Sequence, residues 1–268
     1  MLAALLAAVV GYIPTSDKSV SVAYAASLVA PMQGPIAAAL RARTGLNFLG
    51  EPKGSRALAH LIQAGLRTPD VFISAEPDLI NAQIAPSETI FASARMVIAY
   101  SPKSPHAKLF EQAAAGQRSV LSALNAPGVL VGRTDPALDP KGARTLRAVQ
   151  LLGKKYRSPV VAQQILKRSQ IFPEEDLAVR VESGELDAGF FYSTETNRAG
   201  MRTVELPGGT NLADQTLFAI AVLTHAPDPQ AGHRFVTFLL GTDGKRILER
   251  YGLRFFSPPR YKRWVTKK

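Results

Sequence analysis

The chain of 268 residues carries 32 lysines and arginines against 21 aspartates and glutamates, which gives a net charge of +11. Its 46% hydrophobic and 20% charged content excludes wholesale disorder, and its length predicts one or two domains with a real core. The absence of cysteine excludes a disulfide scaffold, a thiolate metal site and a catalytic thiol. The four histidines lie too far apart in sequence to form a helical metal-binding motif.

Residues 1–18 are predicted to be a leader or an unstructured segment. Leu2 to Val10 form an uninterrupted apolar run that is too short to span a bilayer. The run resembles the hydrophobic part of an export signal, although no basic residue precedes it, and a short buried helix is the alternative. The signal interpretation predicts an exported protein in the periplasm or another extracytoplasmic compartment.

Apolar runs and helical patterns alternate along the rest of the chain. In the first half we predict strands at 20–24, 46–50, 70–74 and 96–100, and helices at 35–44, 54–64 and 76–84. In the second half we predict strands at 129–132, 188–192 and 217–223, helices at 142–155, 159–169, 229–240 and 242–251, and a strand or helix start at 177–183. This alternation predicts an α/β fold with mostly parallel sheets that are covered on both faces.

Two α/β units of comparable size predict two lobes with a ligand cleft between them. We assign residues 19–95 and 221–256 to the first lobe, 96–220 to the second, and 257–268 to a basic tail. The tail contains five basic residues and no acid, which leaves +6 for the rest of the chain. Such a balance favours anionic partners in general and does not choose among nucleic acid, a membrane surface and a small anion.

Three loops carry candidate binding residues. Ser27 follows the first strand, Ser55 opens a helix after Gly54, and Asp139 and Lys141 lie in a loop that leads from a strand into a helix. Small or hydroxyl residues at such places leave backbone N–H groups exposed at the positive end of the helix dipole, where anions bind. Each loop taken singly is equally typical of ordinary helix capping. Three of them at strand carboxyl ends favour an oxyanion cleft.

Segments along most of the chain resemble the periplasmic molybdate/tungstate-binding proteins of ABC importers. These segments are AASL, TG…GS, TPDVFISAEPDLI, MVIAYSPKS, GRTDPALDPKGARTLRA, ESGELDAGFFY and AGHRFVTFLLGTDGKRILERYGL, and together they cover about residues 19–258. The resemblance implies the two-lobed type II solute-binding fold, in which hinge-linked lobes close on a tetrahedral oxyanion. It also implies a membrane ABC importer permease as the partner of a monomeric binding protein that needs no cofactor.

The resemblance further implies a set of ligand-binding residues. Ser27 and Ser55 would donate hydroxyl and backbone hydrogen bonds from the first lobe. Lys141 and Phe191 would each donate a backbone N–H from the second lobe. Asp139 matches an acid that, in the archaeal-type branch, can bond to the metal atom of the oxyanion; capping a helix is its alternative role.

Two positions depart from the family pattern. Phe191 stands where the archaeal-type branch has a glutamate, and Phe218 is nearest to the place where bacterial molybdate binders usually have a tyrosine hydroxyl. Ser193 and Thr194 are candidates for a replacement hydroxyl. Candidate sources of positive charge in the cleft are Arg133, Lys141 and Arg144.

Because of these departures, sulfate, thiosulfate or another small anion is the alternative ligand, and a ligand-sensing effector domain is the alternative role.

Tyr261 to Trp264 interleave aromatic and basic residues as nucleic-acid binders do. No recognised nucleic-acid module accompanies them, so we expect no nucleic-acid partner. The sequence also lacks the common hydrolase, zinc-protease and nucleotide-binding motifs, and Glu174–Asp176 are interpreted as helix-capping acids. We therefore expect no enzymatic activity.

Overall fold

The computed structural model describes residues 18–197 and 200–264. The apolar run Leu2 to Val10, on which the leader prediction rests, lies outside these residues. Within the described residues the strands form two sheets, one of six strands and one of five.

The first sheet has the strand order β11-β4-β10-β3-β1-β2. β1 pairs in parallel with β2 and β3, whereas β10 runs antiparallel to β3 and β4, and β11 antiparallel to β4. The strands of this sheet are β1 Ser19–Ala25, β2 Asn47–Lys53, β3 Val71–Ser74, β4 Ser87–Ser93, β10 Leu217–Val222 and β11 Arg254–Arg263.

The second sheet has the order β7-β6-β8-β5-β9. β6 pairs in parallel with β7 and β8, and β5 runs antiparallel to β8 and β9. Both sheets are therefore mixed, and the prediction of mostly parallel sheets is wrong, because strands that enter from the other sheet run against their neighbours. The strands of this sheet are β5 Met96–Tyr100, β6 Val131–Thr134, β7 Gln170–Phe172, β8 Ala188–Tyr192 and β9 Arg202–Glu205.

Helices cover the sheets. They are α1 Val29–Pro31, α2 Ala37–Thr44, α3 Ser55–Gln63, α4 Ala107–Ala114, α5 Val120–Leu124, α6 Pro140–Lys155, α7 Pro159–Arg168, α8 Glu174–Ser183, α9 Pro229–Leu240 and α10 Thr242–Arg250. Gly45, with φ of +72°, ends α2 in the left-handed conformation that favours glycine. The predicted helix at 76–84 is wrong. Only Pro77–Leu79 form a 3₁₀ turn, because Ile80 adopts an extended backbone and Pro86 follows closely. No described helix has both the length and the apolar character needed to cross a membrane.

The central strands carry the core. Every residue of β3, β5 and β8 is buried. Continuous burial of this kind is typical of strands whose sheet is covered on both faces. The polar groups at the ends of these strands are therefore held in fixed positions by a close-packed interior.

The predicted lobe boundaries need two corrections. β10 begins at Leu217 and belongs to the first sheet, so a boundary at residue 221 cuts through a strand. β11 continues to Arg263, so residues 257–263 are an edge strand of the first sheet and not a tail. The physical reason is that the outer edge of β4 needs backbone hydrogen-bond partners, and basic residues are common on edge strands. Lys262 of this strand places its Nζ 3.8 Å from the buried carboxylate of Glu88.

Two chain segments cross between the sheets and lie side by side. Residues 94–95 connect β4 to β5, and residues 206–216 connect β9 to β10. Ala94 N donates to the Thr216 carbonyl at 3.0 Å, and Met96 N donates to the Asn211 carbonyl at 2.7 Å. A pair of short crossing segments between two rigid lobes has the geometry of a hinge.

Candidate functional site

The two lobes meet where the Gly54 loop of the first lobe contacts the 135–139 loop of the second. Ala57 N donates to the Leu138 carbonyl at 3.2 Å. Arg56 Nη1 donates to the Pro136 carbonyl at 2.6 Å. A Cβ atom on Gly54 would lie 2.8 Å from the Leu138 oxygen, so only glycine permits this approach. The structure therefore represents a closed form in which the lobes touch.

Two cavities lie beside this contact, and residues of both lobes line each of them. The larger, of about 380 Å³, lies between Lys53–Ala57 and Thr134–Asp139, with residues 171–175 on the third side. The smaller, of about 200 Å³, has Ser27 and Pro52 on one side and Glu195 on the other. Glu174 and Glu175 line both cavities. The first turn of α8 is thus the wall that the two cavities share.

The two predicted serines lie on the first-lobe side of the cleft. Ser27 is in the 3₁₀ turn after β1 and lines the smaller cavity. Its hydroxyl is buried and has no hydrogen-bond partner among the described residues. Ser55 is the first residue of α3, and its Oγ accepts a hydrogen bond from Ala75 N at 3.1 Å. Since a hydroxyl can accept and donate together, the Ser55 proton is still available, although neither cavity reaches Ser55 directly.

Asp139 caps α6. Its Oδ1 accepts a hydrogen bond from Lys141 N at 2.9 Å, so the backbone N–H that was predicted to hold the ligand is taken by Asp139 in this structure. The second oxygen, Oδ2, is buried without a hydrogen-bond partner among the described residues, and Asp139 lines the larger cavity. Burial raises the pKa of this carboxyl, against the lowering effect of Lys141. Asp139 therefore combines the capping role with an unpaired oxygen at the cleft.

The side chain of Lys141 is fully buried behind the cleft wall. Its Nζ lies 2.6 Å from Glu195 Oε1 and 3.4 Å from Glu174 Oε1. Burial lowers the pKa of this ammonium, but Glu195, Glu174 and Asp139 outweigh burial and raise it overall. Lys141 is thus a permanent positive charge among three acids. The sequence analysis predicted only that its backbone N–H binds the ligand.

Phe191 lies in the middle of the second-lobe core. It pairs with Val97 across β5 and β8, and its ring lies 5.3 Å from the Lys141 ammonium. Its side chain lines neither cavity. The donation of its backbone N–H to a ligand stays a prediction.

Of the two candidate replacement hydroxyls, only Thr194 is available. Ser193 Oγ donates to the Gly252 carbonyl at 3.0 Å, whereas Thr194 Oγ1 is buried without a partner among the described residues. The candidate cations Arg133 and Arg144 are also engaged elsewhere. Arg133 Nε donates to Ser169 Oγ at 2.8 Å, and Arg144 Nη2 donates to the Gln215 carbonyl at 2.8 Å.

Tyr192 is a functional candidate that the sequence analysis missed. Its ring packs edge-on against Phe218 with 6.0 Å between centroids, and its hydroxyl is buried without a partner among the described residues. Burial raises the pKa of this phenol well above its usual value, so it stays a neutral donor. The alternation of side chains along β8 is the signal that could have found it, because Tyr192 points away from the face that Phe191 occupies.

Glu174 and Glu195 are two further missed residues. Glu195 Oε2 accepts from Tyr192 N at 2.8 Å, while both oxygens of Glu174 are buried without a hydrogen-bond partner among the described residues. Burial is the largest cause that raises the pKa of each carboxyl. Glu174–Asp176 do lie in the first turn of α8, as their interpretation as acids at a helix start requires, but the burial of Glu174 at the first position was not predicted. The described residues contain no group of three histidines or acids arranged to hold a metal ion.

Comparisons with known proteins agree with this architecture. The chain is 33% identical over 165 residues to HVO_B0369 of Haloferax volcanii, named as an ABC transporter molybdenum-binding protein; the match covers 61% of this chain and about half, 53%, of that relative. It is 25% identical to the molybdate/tungstate-binding protein WtpA of Thermococcus kodakarensis, with 91% of this chain and 85% of the relative covered. The periplasmic molybdate-binding protein of Azotobacter vinelandii superposes with a TM-score of 0.69 at 17% identity, over 88% of this chain and 98% of that chain.

The structural match shows the type II periplasmic-binding-protein fold that was predicted, with two lobes joined by a hinge. A sequence profile of the bacterial extracellular solute-binding proteins matches residues 20–254, which is most of the chain. This protein therefore belongs to the bacterial extracellular solute-binding protein family.

Proposed function

We propose that this protein captures molybdate or tungstate in the cleft between its lobes and delivers the anion to an ABC importer. The names of its relatives support this ligand class, and so does the chemistry of the cleft. The proposal is binding without catalysis, because the family to which the chain belongs consists of solute-binding proteins.

The observation that carries the proposal is a set of buried hydroxyls without partners. Ser27, Tyr192 and Thr194 each bury a hydroxyl oxygen that makes no hydrogen bond with any described residue. An unsatisfied buried polar group costs about 1–3 kcal/mol, so native proteins leave few of them unpaired. Of these three residues, Ser27 lines the smaller cavity, and Tyr192 and Thr194 line neither cavity. A tetrahedral oxyanion offers four acceptor oxygens, so one bound anion would satisfy donors from both lobes.

The closed form supports capture by both lobes. The contacts of Arg56 and Ala57 with the 135–139 loop hold the first lobe against the second. Closure removes water from the cleft, and hydrogen bonds to an anion are stronger in such a low-dielectric place. The hinge segments at 94–95 and 206–216 allow the same lobes to separate for release.

The route and partner follow from the family. We infer that the protein is exported to the periplasm or another extracytoplasmic compartment and works as a monomer with a membrane permease. The family description as extracellular supports this location. The importer permease is the partner that the relatives named as ABC transporter components support.

A thermal-shift experiment tests the ligand. A ligand that binds only the folded protein raises Tm with its concentration. We expect molybdate and tungstate to raise Tm more than sulfate, thiosulfate or phosphate at equal concentration and ionic strength. Ser27→Ala should reduce that rise, whereas Ser122→Ala, an exposed serine in α5, should not. A larger rise with sulfate or thiosulfate would favour the alternative ligand, and no rise with any anion would contradict the proposal.

A further inference from the structure

The carboxyl of Glu174 occupies an unusual place in the cleft. It is 95% buried, it lines both cavities, and neither of its oxygens has a hydrogen-bond partner among the described residues. A carboxylate in the first turn of a helix is ordinarily solvated or bonded to backbone N–H groups. Glu174 has neither arrangement, and the cation beside it is Lys141, whose Nζ lies 3.4 Å from Oε1.

The local charge balance does not permit every acid here to be ionised. Among residues 18–197 and 200–264, Lys141 is the single buried ammonium beside Asp139, Glu174 and Glu195. If all three acids were ionised, Lys141 would leave two of these negative charges without a buried ammonium in a low-dielectric interior. Arg144 lowers the pKa of Asp139, but its guanidinium is bound to the Gln215 carbonyl. A dianionic ligand would add two more negative charges, so at least one carboxyl must hold a proton.

The hydrogen bonds indicate which carboxyl holds it. Glu195 accepts from Lys141 Nζ at 2.6 Å and from Tyr192 N at 2.8 Å. Asp139 accepts from Lys141 N at 2.9 Å. Bonds of this kind favour the ionised form, whereas Glu174 has only the longer contact of its Oε1 with Lys141 Nζ, at 3.4 Å. Burial, together with Asp139 and Glu195, raises the pKa of Glu174 well above its usual value, and the nearby Lys141 does not restore it.

We propose that Glu174 is protonated in the closed cleft and donates a hydrogen bond from its carboxyl O–H to the bound oxyanion. This inference rests on the proposed function and adds a residue that determines its specificity. A neutral carboxyl is a donor, whereas an ionised one offers only acceptors and repels a dianion. The protein therefore binds the anion together with one retained proton, and loss of that proton weakens binding.

Each charged neighbour on the facing elements is compatible with this assignment. Lys141 and Asp139 face Glu174 from α6, and Glu195 and Tyr192 face it from the end of β8. On the first lobe, Lys53 Nζ lies 3.3 Å from Glu175 Oε1 at the cavity rim. Arg56 is held by Glu76, so neither first-lobe cation makes an ion pair with Glu174.

The test measures molybdate and tungstate affinity by calorimetry between about pH 6 and pH 9, a range that lies above the ordinary pKa of a glutamate and below that of a lysine. The proteins are the wild type, Glu174→Gln and Asp176→Asn. Glutamine keeps an N–H donor and cannot titrate. Asp176 is in the same helical turn but exposed, so Asp176→Asn controls for removing an acid from the α8 N-terminus.

We expect Glu174→Gln to bind at pH 6 within about threefold of the wild type. The wild-type Kd should rise with pH by up to about tenfold per pH unit, as expected for one retained proton, and the Glu174→Gln profile should be flat. Asp176→Asn should follow the wild-type profile. Circular dichroism and Tm measurements check that each variant is folded.

Three results would overturn the inference while leaving the proposed function intact. The first is a Glu174→Gln variant that binds more than tenfold tighter than the wild type at pH 6, which would mean that Glu174 is ionised. The second is a folded Glu174→Gln variant that binds more than tenfold more weakly at pH 6. The third is a pair of pH profiles that do not differ between the wild type and Glu174→Gln. Failure of the wild type to bind either anion at pH 6 would instead contradict the proposed function, and this inference with it.

Discussion

Arg56 of the first lobe donates from Nη1 to the Pro136 carbonyl of the second lobe at 2.6 Å. Its other nitrogens, Nε and Nη2, bind Glu76 of its own lobe at 2.9 and 3.0 Å. The acid thus fixes the planar guanidinium in the orientation in which it meets the opposite lobe. Because the hydrogen bond from Arg56 to Pro136 requires the two lobes to be in contact, it favours the closed form.

Arg56→Ala should weaken oxyanion binding about tenfold or more, because a hydrogen bond from a charged donor contributes about 1.5–3 kcal/mol and this one forms only on closure. The measurement is calorimetric affinity, with small-angle scattering to detect a more open average shape. Arg67→Ala is the matched control, since Arg67 pairs with Glu51 within the first lobe and is exposed. Equal affinities for the two variants would mean that Arg56 does not assist closure.

Tyr192→Phe should lower anion affinity about tenfold without lowering the stability of the free protein. The substitution removes a buried hydroxyl that has no partner among the described residues and keeps the edge-on ring contact with Phe218. Loss of an unpaired buried hydroxyl is neutral or stabilising in the free state. Chemical denaturation and calorimetry measure the two effects.

The control for Tyr192→Phe is Tyr251→Phe, at the end of α10, which should change neither the anion affinity nor the stability of the free protein much. A fall in stability of Tyr192→Phe without any change in affinity would show that its hydroxyl serves the fold and not the ligand.

Lys141→Met should destabilise the protein by about 3–5 kcal/mol near neutral pH, because the buried carboxylates of Asp139 and Glu195 lose their counter-charge. The folded-state pKa values of Asp139 and Glu195 are already raised, chiefly by burial. Acids with raised folded pKa values contribute most stability below their unfolded pKa, at about pH 4, and lose it as pH rises through the folded values.

The destabilisation of Lys141→Met should therefore be smallest near about pH 4 and increase toward neutrality. Urea unfolding at a series of pH values measures this trend. A loss of stability that is the same at every pH would contradict the assignment of Lys141 as the counter-charge.

Glu88, in β4 of the first lobe, gives a second prediction about the effect of pH on stability. Burial raises the pKa of this carboxyl to about 7, and Lys262 of β11 opposes the rise. Because the folded value is above the unfolded value of about 4.3, the contribution of Glu88 to stability decreases as pH rises from that value through 7.

Glu88→Gln should therefore have a higher Tm than the wild type at pH 8 but not at about pH 4. A change of about 1 kcal/mol in stability corresponds to an increase of a few degrees in Tm. Differential scanning calorimetry at the two pH values measures it. Asp214→Asn, at an exposed acid between β9 and β10, is the control. A gain that is equal at both pH values would show that titration of Glu88 is not its source.

Local signals in the sequence predicted the parts of the site that local rules govern. Gly45 ends its helix, Ser55 begins α3, and Asp139 caps α6, because turn and capping preferences depend on a few neighbouring residues. The two-lobed fold followed from alternation and from the family resemblance.

Contacts between segments that are distant in sequence could not be predicted from such local rules. Lys141 and Glu195 are 54 residues apart, and each is an unremarkable polar residue until the fold joins them. The burial of Glu174 was missed because its neighbours Glu175 and Asp176 are exposed and have the same charge. β11 was mistaken for a tail because an edge strand with exposed basic residues lacks the apolar alternation that identifies a strand.

The most direct test of the central proposal is calorimetric titration of the wild-type protein with molybdate, tungstate, sulfate and phosphate at one pH and ionic strength. We expect one site per chain, with Kd for molybdate or tungstate below about 10 µM, or roughly −7 kcal/mol, and weaker binding of sulfate and phosphate. Absence of binding by all four anions at that level would contradict it.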